Sequence, residues 1–160
     1  MTLDARRTQA YFALMEASGL LQQLMEDQLR RDGGLSYLQF FLLARLAEAP
    51  GGRMRMTDLA DTVVHSRSGL TYQAGRLESA GLLRREPSPD DERSVTAAIT
   101  DQGRDLLAKV LPGHVAIVEH GMFDALDDQQ TDALTDALGA VRDKLRNLAP
   151  TSAQRRRSRG

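Results

Sequence analysis

The chain contains no cysteine. That absence excludes disulfides, thiolate metal ligands, cysteine nucleophiles and thiol redox sensing together. Lysine is nearly missing as well: Lys109 and Lys144 are the only two, so almost all basic charge is arginine. Arginine's planar fork suits phosphates and base edges, although compositional bias accounts for most of its excess here. A surplus of either charge is lacking too. The formal net charge is −1, so any affinity for nucleic acid has to rest on local patches. No apolar run approaches the length of a membrane span, and the N-terminal MTLDARRTQ has no apolar secretory core. The expectation is a cytoplasmic chain with no membrane partner.

Signatures of catalysis and metal binding are also absent. There is no phosphate-cradling glycine loop. His114 and His120 are six residues apart, which keeps them off a common helical face as i, i+4 ligands would need. Asp61, His65 and Ser66 are neighbours in sequence, and that alone does not make a triad. The expectation is no enzyme, no metal and no cofactor.

What is present is helical periodicity with one interruption. Residues 6–31 place Tyr11, Leu14, Leu21, Leu24, Met25, Gln28 and Leu29 largely on one stripe, and Gly33-Gly34 ends that helix. Ser36 stands three residues before Gln39, a capping-box spacing, and opens a second helix running to about Glu48. Pro50, Gly51 and Gly52 close it. Thr57 is a candidate cap for a third helix with Leu59, Ala60, Val63 and Val64 inside. Ser66 is one for a fourth, with Leu70, Ala74 and Leu77 at i, i+4 and i+7 and Gly81 at its C-terminal stop. LLRREPS and RSVTAAI then read as strands of a hairpin, joined through Pro-Asp-Asp by a loop longer than a two-residue turn. The short run RMRM at 53–56 is a candidate third strand.

Thr100 caps a long helix reaching Phe123 and Leu126, in which Pro112-Gly113 predicts a kink or break. Asp127 with Gln130 caps the last helix, where Leu134, Leu138, Val141, Leu145 and Leu148 form a seam in steps of four and three. That seam fits either a second copy of the chain or internal packing on the first helix. The fold class is mainly α with a small β-hairpin wing: a winged helix-turn-helix at 36–100, flanked by dimerisation helices at 6–31 and 101–148. The segment 149–160 is a basic tail expected to be disordered.

Two short helices around VVHSRSG suit a helix-turn-helix, whose second helix enters the major groove. Its outward face carries Arg67, Ser68, Thr71, Tyr72, Gln73, Arg76 and Ser79. Arginine can fork onto guanine, glutamine onto adenine, and hydroxyls onto phosphates or bases. An ordinary solvated helix face has the same composition. The hairpin favours DNA, because an arginine at its tip suits the negative potential of a minor groove.

The run LADTVVHSRSGLTYQAGRLESAGLLRREPSPDDERSVTAAITDQG resembles the MarR family of bacterial transcription regulators. The resemblance is carried by Leu59-Ala60, Ser66, Leu77 to Leu82 with its Gly81, Arg84-Arg85, Asp91-x-Arg93 and Ile99-Thr100-x-x-Gly103. The flanking helices fit the family's layout, so it covers residues 6–148 as one domain. Glu92 stands where the family often has a second arginine, and Tyr72 and Gln73 replace commoner small or basic residues.

The resemblance implies a homodimeric, nucleoid-associated repressor on a near-palindromic double-stranded operator, with recognition helices about 34 Å apart. It implies DNA contacts by Ser66, Arg67, Ser68, Thr71, Tyr72, Gln73, Arg76, Arg84, Asp91 and Arg93, with Asp91 orienting Arg93 in the minor groove. It implies a dimer seam of Leu14, Leu134, Leu138, Val141, Leu145 and Leu148. It also implies a small aromatic or phenolic effector, for which Phe12, Met15, Tyr37, Phe40, Phe41 and His65 are candidate contacts and equally candidate core residues. A helical module that binds a protein through the same fold is the alternative, supported by the acidic wing.

Overall fold

The computed structural model describes residues 2–63, 67–88 and 91–148, except that the side chains of Val63, Arg67, Ser68 and 91–93 are outside the description. Six helices and three strands follow in the order α1 (Ala5–Gly33), α2 (Tyr37–Glu48), β1 (Arg53–Arg55), α3 (Met56–Val63), α4 (Arg67–Ser79), β2 (Leu83–Ser88), β3 (Asp91–Ile99), α5 (Asp101–Gly121) and α6 (Asp128–Leu148). The architecture is the mainly helical one with a small antiparallel sheet that the periodicity predicts.

Local chemistry sets most boundaries. Asp4 caps α1 by accepting from Arg7 N at 2.8 Å. Gly34, at φ 66°, closes its C-terminus, with Gly34 N on Arg30 O and Leu35 N on Leu29 O. Ser36 and Gln39 form the reciprocal capping box of α2. Gly81, at φ 73°, ends α4 in a Schellman turn: Leu82 N bonds Leu77 O and Gly81 N bonds Glu78 O, both at 2.9 Å. Thr100 caps α5 through Gly103 N, and Asp127 with Gln130 caps α6. The third helix departs from expectation by starting two residues early, at Met56, which puts Thr57 in its first turn.

The sheet order is β1-β3-β2. The segment from Arg53 is a true edge strand, antiparallel to β3. The hairpin is tighter than its sequence predicts: the ladder reaches Ser88 opposite Asp91, with a register shift at Pro87/Ser88 that absorbs extra β3 residues in a bulge.

The core is built from Leu29, Leu42, Leu43, Leu46, Leu59, Leu70, Leu77, Leu83 and Val110. It lies where the end of α1 meets α2, α3, α4, the inner sheet face and the start of α5. The first twenty residues of α1 and all of α6 contribute nothing buried to it among the described residues.

Pro112-Gly113 does not break α5, which is continuous to Gly121 before a short 3-10 turn at Phe123–Ala125. The pair marks the crossing of α1 instead. A Cβ on Gly113 would lie 2.7 Å from Gln28 Nε2 and 2.9 Å from Asp32 Oδ2. Gln28, only 2% exposed, donates to Val110 O at 3.0 Å and so ties α1 to α5 at this crossing. The join between α5 and the end of α4 is closer still. A Cβ on Gly103 would overlap the Leu82 carbonyl oxygen, while Thr100 Oγ1 donates to Gly81 O at 2.6 Å.

Candidate nucleic-acid interface

Helix α4 buries Leu70, Ala74 and Leu77 at i, i+4 and i+7. This fixes its rotation and turns Thr71, Tyr72, Arg76 and Ser79 outward. Tyr72 is 62% exposed. Together with Gly75, which adds no side chain, and Arg85 of β2, these residues line an open groove of about 650 Å³.

Helix and wing are joined by one side chain that sequence reading passes over. Glu78, in the last turn of α4, accepts from Arg85 N (2.8 Å), Arg85 Nε (2.8 Å) and Arg85 Nη2 (2.5 Å). The guanidinium and the backbone N–H together hold the Glu78 carboxyl below its ordinary range. An acid seven residues before an arginine, across a Gly81 turn, is the only trace of this clamp in the sequence.

Side chains alternate along a strand, and this separates Arg84 from Arg85. Arg85 faces α4. Arg84 therefore lies on the opposite sheet face, on one rung with Ala98 and Arg53, and it pairs with Glu86. Any DNA contact by Arg84 would therefore be made from the sheet face away from α4.

Gln73 also differs from its sequence reading. It is half-buried, and its Oε1 accepts from Gln39 Nε2 at 2.9 Å. A bidentate grip on adenine needs both ends of the amide, and here one end is already engaged. Of the remaining DNA candidates, Ser66 lies outside the described residues. Arg67, Ser68, Asp91 and Arg93 have their backbone in α4 or β3, and their side chains lie outside the description.

The candidate effector residues do not converge within one protomer. Phe40 is core, 4% exposed, with its ring centroid 4.4 Å from that of His114. Tyr37 and Phe41 are in ring contact, with Arg45 4.9 Å above Phe41. Tyr37 N donates to Glu26, which fixes its level along α1. Phe12 lies fourteen residues up the same helix, roughly 20 Å away at about 1.5 Å per residue, and Met15 is nearly as far. His65 lies outside the described residues.

Burial pushes the His114 imidazole down, and its Nδ1 has no hydrogen-bond partner among the described residues; nor does Gln28 Oε1. Among the described residues no group of three or more His, Asp or Glu is placed to hold a metal ion, and no helix is long and apolar enough to cross a membrane.

The dimer-seam candidates are outward-facing. Leu14, Leu138, Val141, Leu145 and Leu148 are exposed and Leu134 is half-buried. Tyr11, Phe12, Leu20, Leu24, Leu111 and Val115 extend the same kind of apolar surface onto α1 and α5.

Comparison with known proteins agrees with this geometry. A model of the MarR family matches residues 33–94. The HTH-type transcriptional regulator MhqR of Bacillus subtilis is 30% identical over 108 residues, covering 68% of this chain and 72% of that protein. PecS of Dickeya dadantii, also an HTH-type transcriptional regulator, is 33% identical over 71% of this chain and 68% of its own. Sco3205, a MarR family transcriptional regulator from Streptomyces coelicolor whose crystal structure is in complex with DNA, superposes with a TM-score of 0.86 at 36% identity, covering 91% of each chain. AbsC, from the same organism and family, superposes with a TM-score of 0.86 at 34% identity over 92% of this chain and 99% of its own.

Proposed function

The chain belongs to the MarR family of transcription regulators, and on that premise we propose that it binds a near-palindromic duplex operator as a homodimer and represses transcription in the cytoplasm. The observation that carries this reading is the Glu78–Arg85 clamp. It makes the exposed face of α4 and the wing one unit, so that both meet a duplex in a fixed relation. The DNA-bound relative at 36% identity supports the same reading.

Thr71, Tyr72 and Arg76 read the major groove or its phosphates, with Ser66, Arg67 and Ser68 at the start of the helix. Arg93, oriented by Asp91, enters the minor groove. Residues 1–148 act as one domain, with 36–100 binding DNA and 6–31 and 101–148 making the dimer. The exposed apolar side chains of α1, α5 and α6 support that dimer, because a lone protomer leaves them in water. Release by a small aromatic or phenolic anion belongs to the same proposal. Tyr37, Phe41 and Arg45 offer it an aromatic surface and a cation, and Phe12 and Met15 can join them only from a second protomer.

Selection of bound fragments from the source genome tests the reading. The expected result is a short palindromic site, bound by the wild type and more weakly by Arg93→Ala at unchanged dimer mass. Affinity should fall steeply with salt, as about 6–10 phosphates neutralised per dimer require. Recovery of no fragment, or a flat salt response, would instead favour a protein-binding module.

A further inference from the structure

The start of α2 dictates which end of the Gln73 amide is left free. Ser36 N donates to Gln39 Oε1 at 3.0 Å as half of the capping box. A backbone N–H can only donate, so the group it meets must be the oxygen of Gln39. The other end of Gln39 is then its NH2, which donates to Gln73 Oε1 at 2.9 Å. With its oxygen engaged by Gln39, Gln73 keeps Nε2, a donor, as the end without a hydrogen-bond partner among the described residues. A glutamine free at both ends can accept from one atom and donate to another.

We propose that Gln39 is a positioning residue for operator specificity: it fixes Gln73 as a donor, so that Gln73 selects an acceptor on the base edge it meets. In the major groove, guanine O6 and N7, adenine N7 and thymine O4 accept, whereas cytosine presents only its N4 donor and would oppose Nε2. The inference rests on the DNA-binding reading above and adds which kind of base Gln73 favours.

The variant Gln39→Glu tests the logic without removing the cap. Glutamate at the third helical position still accepts from Ser36 N, and a carboxylate near a helix N-terminus is favoured. Its second oxygen can only accept, so Gln73 has to turn Nε2 inward and present Oε1. The experiment measures binding of wild type, Gln39→Glu and Gln73→Ala to the selected operator and to variants with each half-site base pair replaced in turn. Circular dichroism and dimer mass confirm that all three are folded.

At one position the wild type should disfavour cytosine about five- to tenfold against guanine or thymine, the worth of one hydrogen bond. Gln39→Glu should reverse that preference toward cytosine, and Gln73→Ala should flatten it. The salt dependence should be the same for all three. A merely structural role for Gln39 would weaken every operator equally, and that result overturns the proposal. So does a Gln39→Glu protein that keeps the wild-type preference at every position. Either outcome leaves DNA binding itself intact. Failure of the wild type to bind any fragment overturns both readings together.

Discussion

Glu78 receives three hydrogen bonds from Arg85, one from its backbone and two from its guanidinium. The last turn of the recognition helix and the first turn of the wing are therefore held at a fixed distance before any DNA arrives. Preorganisation of this kind lowers the ordering cost of binding.

Replacing Glu78 with alanine frees the wing. Both partners are about a third exposed, so solvent screening limits the loss of fold stability to about 1 kcal/mol. Operator affinity should fall further, because helix and wing then have to be ordered on the DNA. Urea denaturation and band shifts on the same protein separate the two effects. The clamp also has a pH signature. The Glu78 carboxyl is held below its ordinary range, so its contribution is complete above that range and is lost as pH falls through the lowered value. The stability difference between wild type and Glu78→Ala should vanish in that acid window.

A second acid effect should appear at higher pH. Burial depresses His114, so the folded protein resists its protonation while the unfolded chain does not. Stability should decline as pH drops below the ordinary histidine range, near 6.5. His114→Phe keeps a ring against Phe40 and removes the buried Nδ1. Its denaturation midpoint should be flat between about pH 7 and pH 5, where the wild type declines.

Glycine substitutions should rank by what they meet. Gly103→Ala drives a methyl into the Leu82 carbonyl oxygen, a backbone atom that cannot step aside, and should cost more than about 3 kcal/mol. Gly113→Ala meets the tips of the Gln28 and Asp32 side chains, which can move, and should cost about 1–2 kcal/mol. Equal losses in thermal denaturation would contradict the packing described at both joins.

The α6 seam predicts the assembly. Leu145 is 57% exposed and Leu138 36% exposed on a helix that has no buried residue. Leu138→Asp with Leu145→Asp should give monomers by sedimentation and abolish operator binding at concentrations where the wild type is saturated, with helix content nearly unchanged. A double variant that still sediments as a dimer would place the interface elsewhere.

What the sequence discloses is what is decided within a few residues. Ser36 with Gln39, Thr100 with Gly103, Asp127 with Gln130 and the Gly81 stop are local bargains between a side chain and the nearest backbone, and all are found where spacing puts them. The bare Cα of Gly113 is explained by the side chains of Gln28 and Asp32 on α1, far away in sequence. Arg84 and Arg85 must face opposite ways in a strand, and only the fold shows that Arg85 is the one that meets Glu78. Gln73 invites an adenine reading by residue type, and only the fold brings Gln39 behind it. Residue type gave these positions the right chemistry in general; contacts far away in sequence decided which atom does it.

The joint at Gly103 has a mechanical consequence. Thr100 Oγ1 on Gly81 O, Thr100 N on Leu82 O and the bare Gly103 Cα against Leu82 leave no slack between α5 and the end of α4. The 21 residues of α5 form an arm about 30 Å long, fixed to the end of α4 at that point. A rotation of about ten degrees about the joint corresponds to about 5 Å at the far end of the arm. In the proposed dimer, a displacement of that size far from the DNA would therefore re-aim α4 by leverage.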